Sequence, residues 1–192
     1  MAVDHVTTDI AVGAPPRVEQ DARRAWTLSP AAIVLAVAAF AAALVRVGVS
    51  PYGFMAGASL GVLVVLSAID LQARILPNRI LLPATAALLA AQAVFYPEHF
   101  VECVLAALAA GALMLAPGLV DPAAVGMGDV KLAVFLGVLL GSAVAPALIL
   151  GCLATAPVLA VLLVRRGRAA RRATLPLGPF LTIGTAIVVL AP

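Results

Sequence analysis

The stretch Gly126-Met127-Gly128-Asp129-Val130-Lys131-Leu132 stands at the junction of two long apolar runs, residues 101–119 and 130–164. Its aspartate falls where a helix formed by the second run would enter a membrane. A carboxylate in that position is costly unless it is paired, capped or hydrated. Gly128 has no Cβ atom, so the backbone can bend there and another group can approach closely. The stretch therefore predicts both a helix boundary and a candidate site.

The composition excludes an ordinary soluble domain. Of the 192 residues, 64% are hydrophobic and only 11% are charged, whereas soluble domains carry about 25% charged residues. A core of this size cannot bury so much apolar material. The net charge is +3, and its basic residues lie in the segments between apolar runs, which favours membrane topology over nucleic-acid binding. We therefore expect a multi-pass membrane protein whose environment is the lipid bilayer, with no nucleic acid as partner.

The apolar runs predict an all-α, polytopic transmembrane bundle with about seven spans. We expect a disordered cytoplasmic tail at residues 1–26 and a transmembrane domain over 27–192. A run of about 20 apolar residues spans a bilayer, whereas 130–164 is too long for one span at about 1.5 Å per residue. Gly141, Ser142 and Pro146 are expected to divide that run into two. The predicted spans are 31–49, 52–69, 80–96, 101–119, two within 130–164, and 175–190.

The basic residues predict the orientation of the bundle. When seven spans alternate from a cytoplasmic N-terminus, Arg46 alone lies outside. The inside segments hold the other eleven Lys and Arg residues: Arg17, Arg23, Arg24, Arg74, Arg79, Lys131, Arg165, Arg166, Arg168, Arg171 and Arg172. Such an asymmetry is the positive-inside pattern of membrane proteins. The same assignment places Asp70 and Asp129 at the cytoplasmic face, at a similar depth.

Two carboxylates at one depth and one face can form a catalytic pair. Close together, they share one proton; the ionised partner takes a proton from water while the protonated one polarises a carbonyl. That is aspartyl proteolysis, which needs no cofactor. We also expect no metal site. His5 and His99 do not have the sequence spacing of metal ligands, and Cys103 belongs to no CxxC pair.

Each of these residues also has a simpler interpretation. Asp129 could cap the helix that begins there, and Asn78 suits a helix N-cap. Asp70 could be a loop residue paired with Arg74 or Arg79. Lys131 is either an anchor on the inner side or a group that tunes the charge of Asp129. At the level of the whole protein, the alternative is a small ion-coupled transporter or assembly subunit that uses the same two aspartates as an ion site.

Three stretches together resemble the type IV prepilin peptidases, which are GxGD-type intramembrane aspartyl proteases. The first is Asp70 followed by Leu76-Pro77-Asn78, and the second is Gly126 through Leu132. The third is Leu175-Pro176-Leu177-Gly178-Pro179-Phe180-Leu181, which is similar to a Pro-Phe-Gly-Pro-Phe segment near the C-terminus of that family, with Leu177 in place of Phe. The resemblance covers roughly residues 52–190. A signal-peptide-peptidase or presenilin type is the enzymatic alternative.

The resemblance implies that Asp70 and Asp129 are the catalytic pair. It makes Gly126, Gly128, Lys131, Pro77 and Asn78 supporting motif residues. The implied substrates are prepilin-like precursors with a membrane-embedded N-terminal helix, cleaved at the cytoplasmic face of the bacterial inner membrane for pilus assembly or type II-like secretion. Members of the family that also methylate the new N-terminus carry an extra domain with paired CxxC motifs. We see no such motifs in this sequence, so we expect it to be similar to the short, peptidase-only type.

The charge asymmetry predicts that residues near Arg168 face the cytoplasm and residues near His99 face outward. Single cysteines introduced at these two places, in a background without Cys103 and Cys152, test this. A membrane-impermeant thiol reagent added to intact cells should label the cysteine near His99 and spare the one near Arg168. Labelling of the Arg168 segment from outside would contradict the orientation.

Overall fold

The computed structural model describes residues 29–120, 125–166 and 176–191. The predicted disordered tail and the arginines that follow Arg166 lie outside these ranges. Within them the chain forms seven α-helices and no strand. Their bounds are α1 Pro30–Val47, α2 Pro51–Ala73, α3 Asn78–Phe95, α4 Pro97–Val120, α5 Met127–Leu140, α6 Val144–Arg166 and α7 Gly178–Leu190.

The first helices start where the sequence supplies caps. The Ser29 hydroxyl accepts a hydrogen bond from the amide of Ala32 at 3.2 Å, and Ser50 does the same for Gly53 at 3.1 Å. A proline follows each serine, at a position where its missing N–H costs nothing. Helix α2 ends at Arg74, which has a left-handed backbone with φ of 53°. The chain therefore turns at Ser50 and Pro51, between α1 and α2.

The all-α membrane class is confirmed. Five helical stretches are long and apolar enough to cross a membrane, and one of them, Met127–Val161, includes both α5 and most of α6. A short 3₁₀ turn, Gly141–Ala143, divides that stretch where Gly141 has φ of 56°. The number seven is approximate, because α5 has 14 residues and α7 has 13. At about 1.5 Å per residue each is shorter than the roughly 30 Å hydrocarbon core.

Successive helices run in opposite directions. Gly57 of α2 approaches Phe40 of α1, and Gly151 of α6 approaches Leu181 of α7. The end of α2 thus lies beside the starts of α3, α5 and α7. We call this the dyad end of the bundle, because it contains Asp70 and Asp129; the other end is the distal end. Basic residues at the dyad end include Arg74, Arg79 and Lys131.

Helix α5 lies at the centre and α1 at the edge. Eight of the 14 residues of α5 are buried, against two of the 18 residues of α1. Phe135 and Leu136 of α5 join Leu63 of α2, Leu81 of α3 and Leu181 of α7 in one apolar core. The outer faces carry exposed aliphatic side chains, as expected for a surface in contact with lipid tails. The core therefore sets the relative positions of the helix ends that meet at the dyad end.

Two central helices meet through a glycine. A Cβ atom added to Gly137 of α5 would overlap the backbone of Ala107 in α4. Close backbone approach at small residues is a common way for helices to associate in lipid. This contact fixes the distance between α4 and α5, and with it the position of the helix that carries Asp129.

We expect Gly137→Ala to destabilise the protein by about 1–3 kcal/mol, because the new methyl group forces two backbones apart. Thermal unfolding in detergent should show a lower Tm than for the wild type. Gly61→Ala is the matched control, since its Cβ would meet only the Ala36 carbonyl at 3.6 Å. It should leave the Tm unchanged or raise it slightly. An unchanged Tm for Gly137→Ala would contradict this account of the α4–α5 contact.

Candidate active site

Asp70 lies in the last turn of α2, not in a loop. Its side chain is 6% exposed, and its Oδ2 atom accepts a hydrogen bond from the amide of Gly178 at 3.1 Å. Gly178 is the first residue of α7, so the partly positive N-terminus of that helix faces the carboxylate. Arg74, one turn further along, also acts on Asp70 electrostatically. The Gly178 amide and Arg74 therefore favour the ionised form of Asp70, whereas its burial opposes that form.

Asp129 lies in the first turn of α5, at the same end of the bundle. It is partly exposed, and it is close enough to Asp70 for the two charges to interact. The N-cap of α5 is Gly126, and no side chain caps this helix. The simpler interpretation of Asp129 as a helix cap is therefore wrong. Within the described residues, no hydrogen bond reaches its carboxylate.

Two of the supporting motif residues join the two motifs. The Lys131 ammonium group donates a hydrogen bond to Oδ1 of Asn78 at 2.9 Å, which connects the start of α3 to the first turn of α5. The suggestion that Asn78 is an N-cap is wrong, since Pro77 occupies that position and Asn78 is the first helical residue. Asn78 instead uses its side chain across the site.

The two glycines of the second motif have different neighbours. A Cβ atom on Gly128 would lie 3.0 Å from the Cβ of Leu76, the residue before Pro77. The segment that precedes α3 therefore contacts the first turn of α5 closely. A Cβ atom on Gly126 would lie 3.2 Å from Oδ2 of Asp129. Glycine at position 128 thus permits the contact with Leu76, and glycine at position 126 leaves room around the Asp129 carboxylate.

Sequence reasoning missed three groups near Asp70. Gly178 belongs to the third motif, which the resemblance singled out without a role. The hydroxyl of Thr182, one turn into α7, lies 2.7 Å from the hydroxyl of Ser67 on α2. It also lies 2.9 Å from the carbonyl of Gly178 and 3.3 Å from that of Leu63. Single hydroxyl residues in apolar helices give no signal in a sequence, so Ser67 and Thr182 could not have been found.

The family of the chain follows from comparison with known proteins. The model of the type IV leader peptidase family matches residues 57–162. That match covers more than half of the chain and includes Asp70, Asn78 and the stretch Gly126 through Leu132. The chain belongs to this family. The resemblance inferred from the three stretches is thereby confirmed.

A curated relative agrees with the family. The prepilin leader peptidase/N-methyltransferase of Bacillus subtilis (strain 168) is 31% identical over 162 residues. The alignment covers 84% of the chain and 65% of the relative, so the chain spans a little under two thirds of that protein's length. No solved structure matches the chain. In the part of the chain that the structure describes, no three His, Cys, Asp or Glu side chains come together as metal ligands; that no metal is needed stays a prediction.

Proposed function

We propose that this protein is a prepilin peptidase, an intramembrane aspartyl endopeptidase that removes the N-terminal leader of prepilin-like precursors. The observation that carries the proposal is the meeting of Asp70 and Asp129, brought by the end of α2 and the start of α5 to one end of an apolar bundle. A buried carboxylate beside a second one has little structural value in such a bundle, since burial of charge is costly. Membership of a leader peptidase family supports the same conclusion.

The reaction needs one ionised and one protonated carboxyl. Asp70, as the ionised partner, takes a proton from a water molecule while the water oxygen bonds to the scissile carbonyl carbon. Asp129 gives its proton to the carbonyl oxygen, which forms a gem-diol. When the C–N bond breaks, the proton held by Asp70 passes to the leaving amine, and Asp129 takes back a proton from the gem-diol. Both carboxyls then return to their starting states.

The position of the pair suits a substrate helix that ends at the membrane surface. Asp129 is partly exposed, and Gly126 and Met127 beside it are exposed, Met127 to 60%. A peptide bond at the end of a substrate helix can therefore approach from the side of Asp129, while Asp70 stays buried. We propose that this end of the bundle faces the cytoplasm of a bacterium, in accord with Arg74, Arg79 and Lys131 at that end. The products would serve pilus assembly or type II-like secretion.

Single substitutions of the pair should each abolish cleavage. We expect Asp70→Asn and Asp129→Asn to reduce precursor cleavage by about 10²- to 10⁴-fold, because neither carboxyl alone can act as both acid and base. The double variant should be no worse than either single one, since residues that act as a unit lose activity non-additively. The measurement is conversion of a pilin-like precursor to the mature form on a gel, with detergent-purified protein.

Glu98→Gln is the control for loss of a carboxylate elsewhere. Glu98 is exposed at the distal end, so this variant should cleave at the wild-type rate. Wild-type cleavage by Asp70→Asn would exclude the pair as the catalytic unit. Proton- or sodium-coupled flux in vesicles, without cleavage, would instead support the ion-coupled transporter.

A further inference from the structure

The two carboxyls of the site differ in their surroundings. Asp70 is buried and receives the Gly178 amide, whereas Asp129 is partly exposed and interacts electrostatically with Asp70. Hydrogen bonds from amides, and a helix N-terminus, stabilise the ionised form of a carboxyl. The two carboxyls therefore differ in how well their ionised forms are stabilised, and the first turn of α7 contributes to that difference.

The first turn of α7 is itself held in place by hydroxyl groups. The Ser67 hydroxyl lies one turn before Asp70 on α2 and contacts Thr182 at 2.7 Å. The Thr182 hydroxyl also lies 2.9 Å from the carbonyl of Gly178. The Thr182 side chain therefore connects α2 to Gly178, whose amide donates to Asp70. Both side chains are buried, with 9% of Ser67 and 8% of Thr182 exposed.

The approach of α7 to Asp70 leaves little tolerance. A Cβ atom on Gly178 would lie 2.8 Å from Oδ2 of Asp70, so the backbone comes as close as glycine allows. A small shift of α7 along α2 would lengthen the 3.1 Å hydrogen bond to Asp70, and hydrogen bonds weaken steeply with poor geometry. The position of α7 therefore affects how well the negative charge of Asp70 is stabilised.

We infer that Ser67 and Thr182 are positioning residues, which hold the N-terminus of α7 against Asp70 and so keep the negative charge of the pair on Asp70 and the proton on Asp129. This assignment rests on the proposed function and makes Asp70 the group that activates water. Neither hydroxyl touches the reacting atoms. Their effect passes through the amide of Gly178.

Among the residues that the structure describes, few other charges can act on Asp70. Arg74 lies on its own helix, Arg79 on α3, and Asp129 and Lys131 on α5. Helix α7 has no ionisable side chain, and the one ionisable residue in α1 lies at the distal end. None of these groups is altered by a change at Ser67 or Thr182. A change in the pH dependence of such a variant therefore reports on the contact between α7 and Asp70.

The test is the pH–rate profile of precursor cleavage for Thr182→Val, which keeps the side-chain shape and removes the hydroxyl. Activity is lost at low pH when Asp70 becomes protonated. With weaker support from the Gly178 amide, Asp70 takes up its proton at higher pH, so the acidic limb should move to higher pH by roughly half to one unit. On that limb the rate should fall about three- to tenfold, while the plateau rate changes far less. Thr182→Ser keeps the hydroxyl and should restore the wild-type limb.

Thr185→Val is the matched control. Thr185 lies on the same helix, is fully buried, and donates to the carbonyl of Leu181 at 2.8 Å within α7. Its loss should leave the acidic limb unmoved. Ser67→Ala provides a second route to the same result and should move the limb in the same direction. If the Thr182→Val protein does not accumulate, Ser67→Ala alone tests the inference.

The inference is overturned if the acidic limb of Thr182→Val coincides with that of the wild type, or if Thr185→Val moves it equally. Failure of Thr182→Ser to restore the limb has the same meaning. These results are separable from failure of the proposed function. If Asp70→Asn cleaves normally, the catalytic pair is wrong; if Asp70→Asn is inactive and Thr182→Val keeps the wild-type limb, only the positioning role is wrong.

Discussion

A carboxylate buried in an apolar bundle must find its hydrogen bonds inside the protein, and the architecture at the dyad end follows from that constraint. Asp70 receives the amide of Gly178 at 3.1 Å, which requires α7 to begin beside the end of α2. Helix α7 is held from its other side by α6, at close contacts around Gly151 and Gly184. Burial of one carboxylate thus connects α2 with α7, which are far apart in the chain.

The apolar core and the polar site have different roles in the fold. Leucines and Phe135 in the centre hold the helices together, and small residues such as Gly137 fix how closely their backbones approach. The polar groups lie at helix ends, where α5 begins only two residues before Asp129. Precise placement of a site depends on rigid supporting elements. Here the packed helices, not a loop, support the polar groups.

The structure limits the roles that each candidate residue can have. Asp129 does not cap its helix, Asp70 is buried in one, and Asn78 accepts a hydrogen bond from Lys131 across the site. Membership of the type IV leader peptidase family fits the proposed chemistry of two carboxyls that share a proton. The difference in burial between Asp70 and Asp129 supports the division of roles that we propose for the two carboxyls.

The sequence by itself determined the all-α membrane class, the approximate bounds of the helices, the break at Gly141 and the two aspartates as the candidate pair. These features are local: hydropathy, glycine and proline breaks, and an acid at the edge of an apolar run are read within a few residues. Only the tertiary structure decided the partners of the polar groups. Lys131 meets Asn78 at a separation of 53 residues, Gly178 meets Asp70 at 108, and Thr182 meets Ser67 at 115. Such pairs depend on how the helices cross, and helix crossing is set by side-chain packing that hydropathy does not encode.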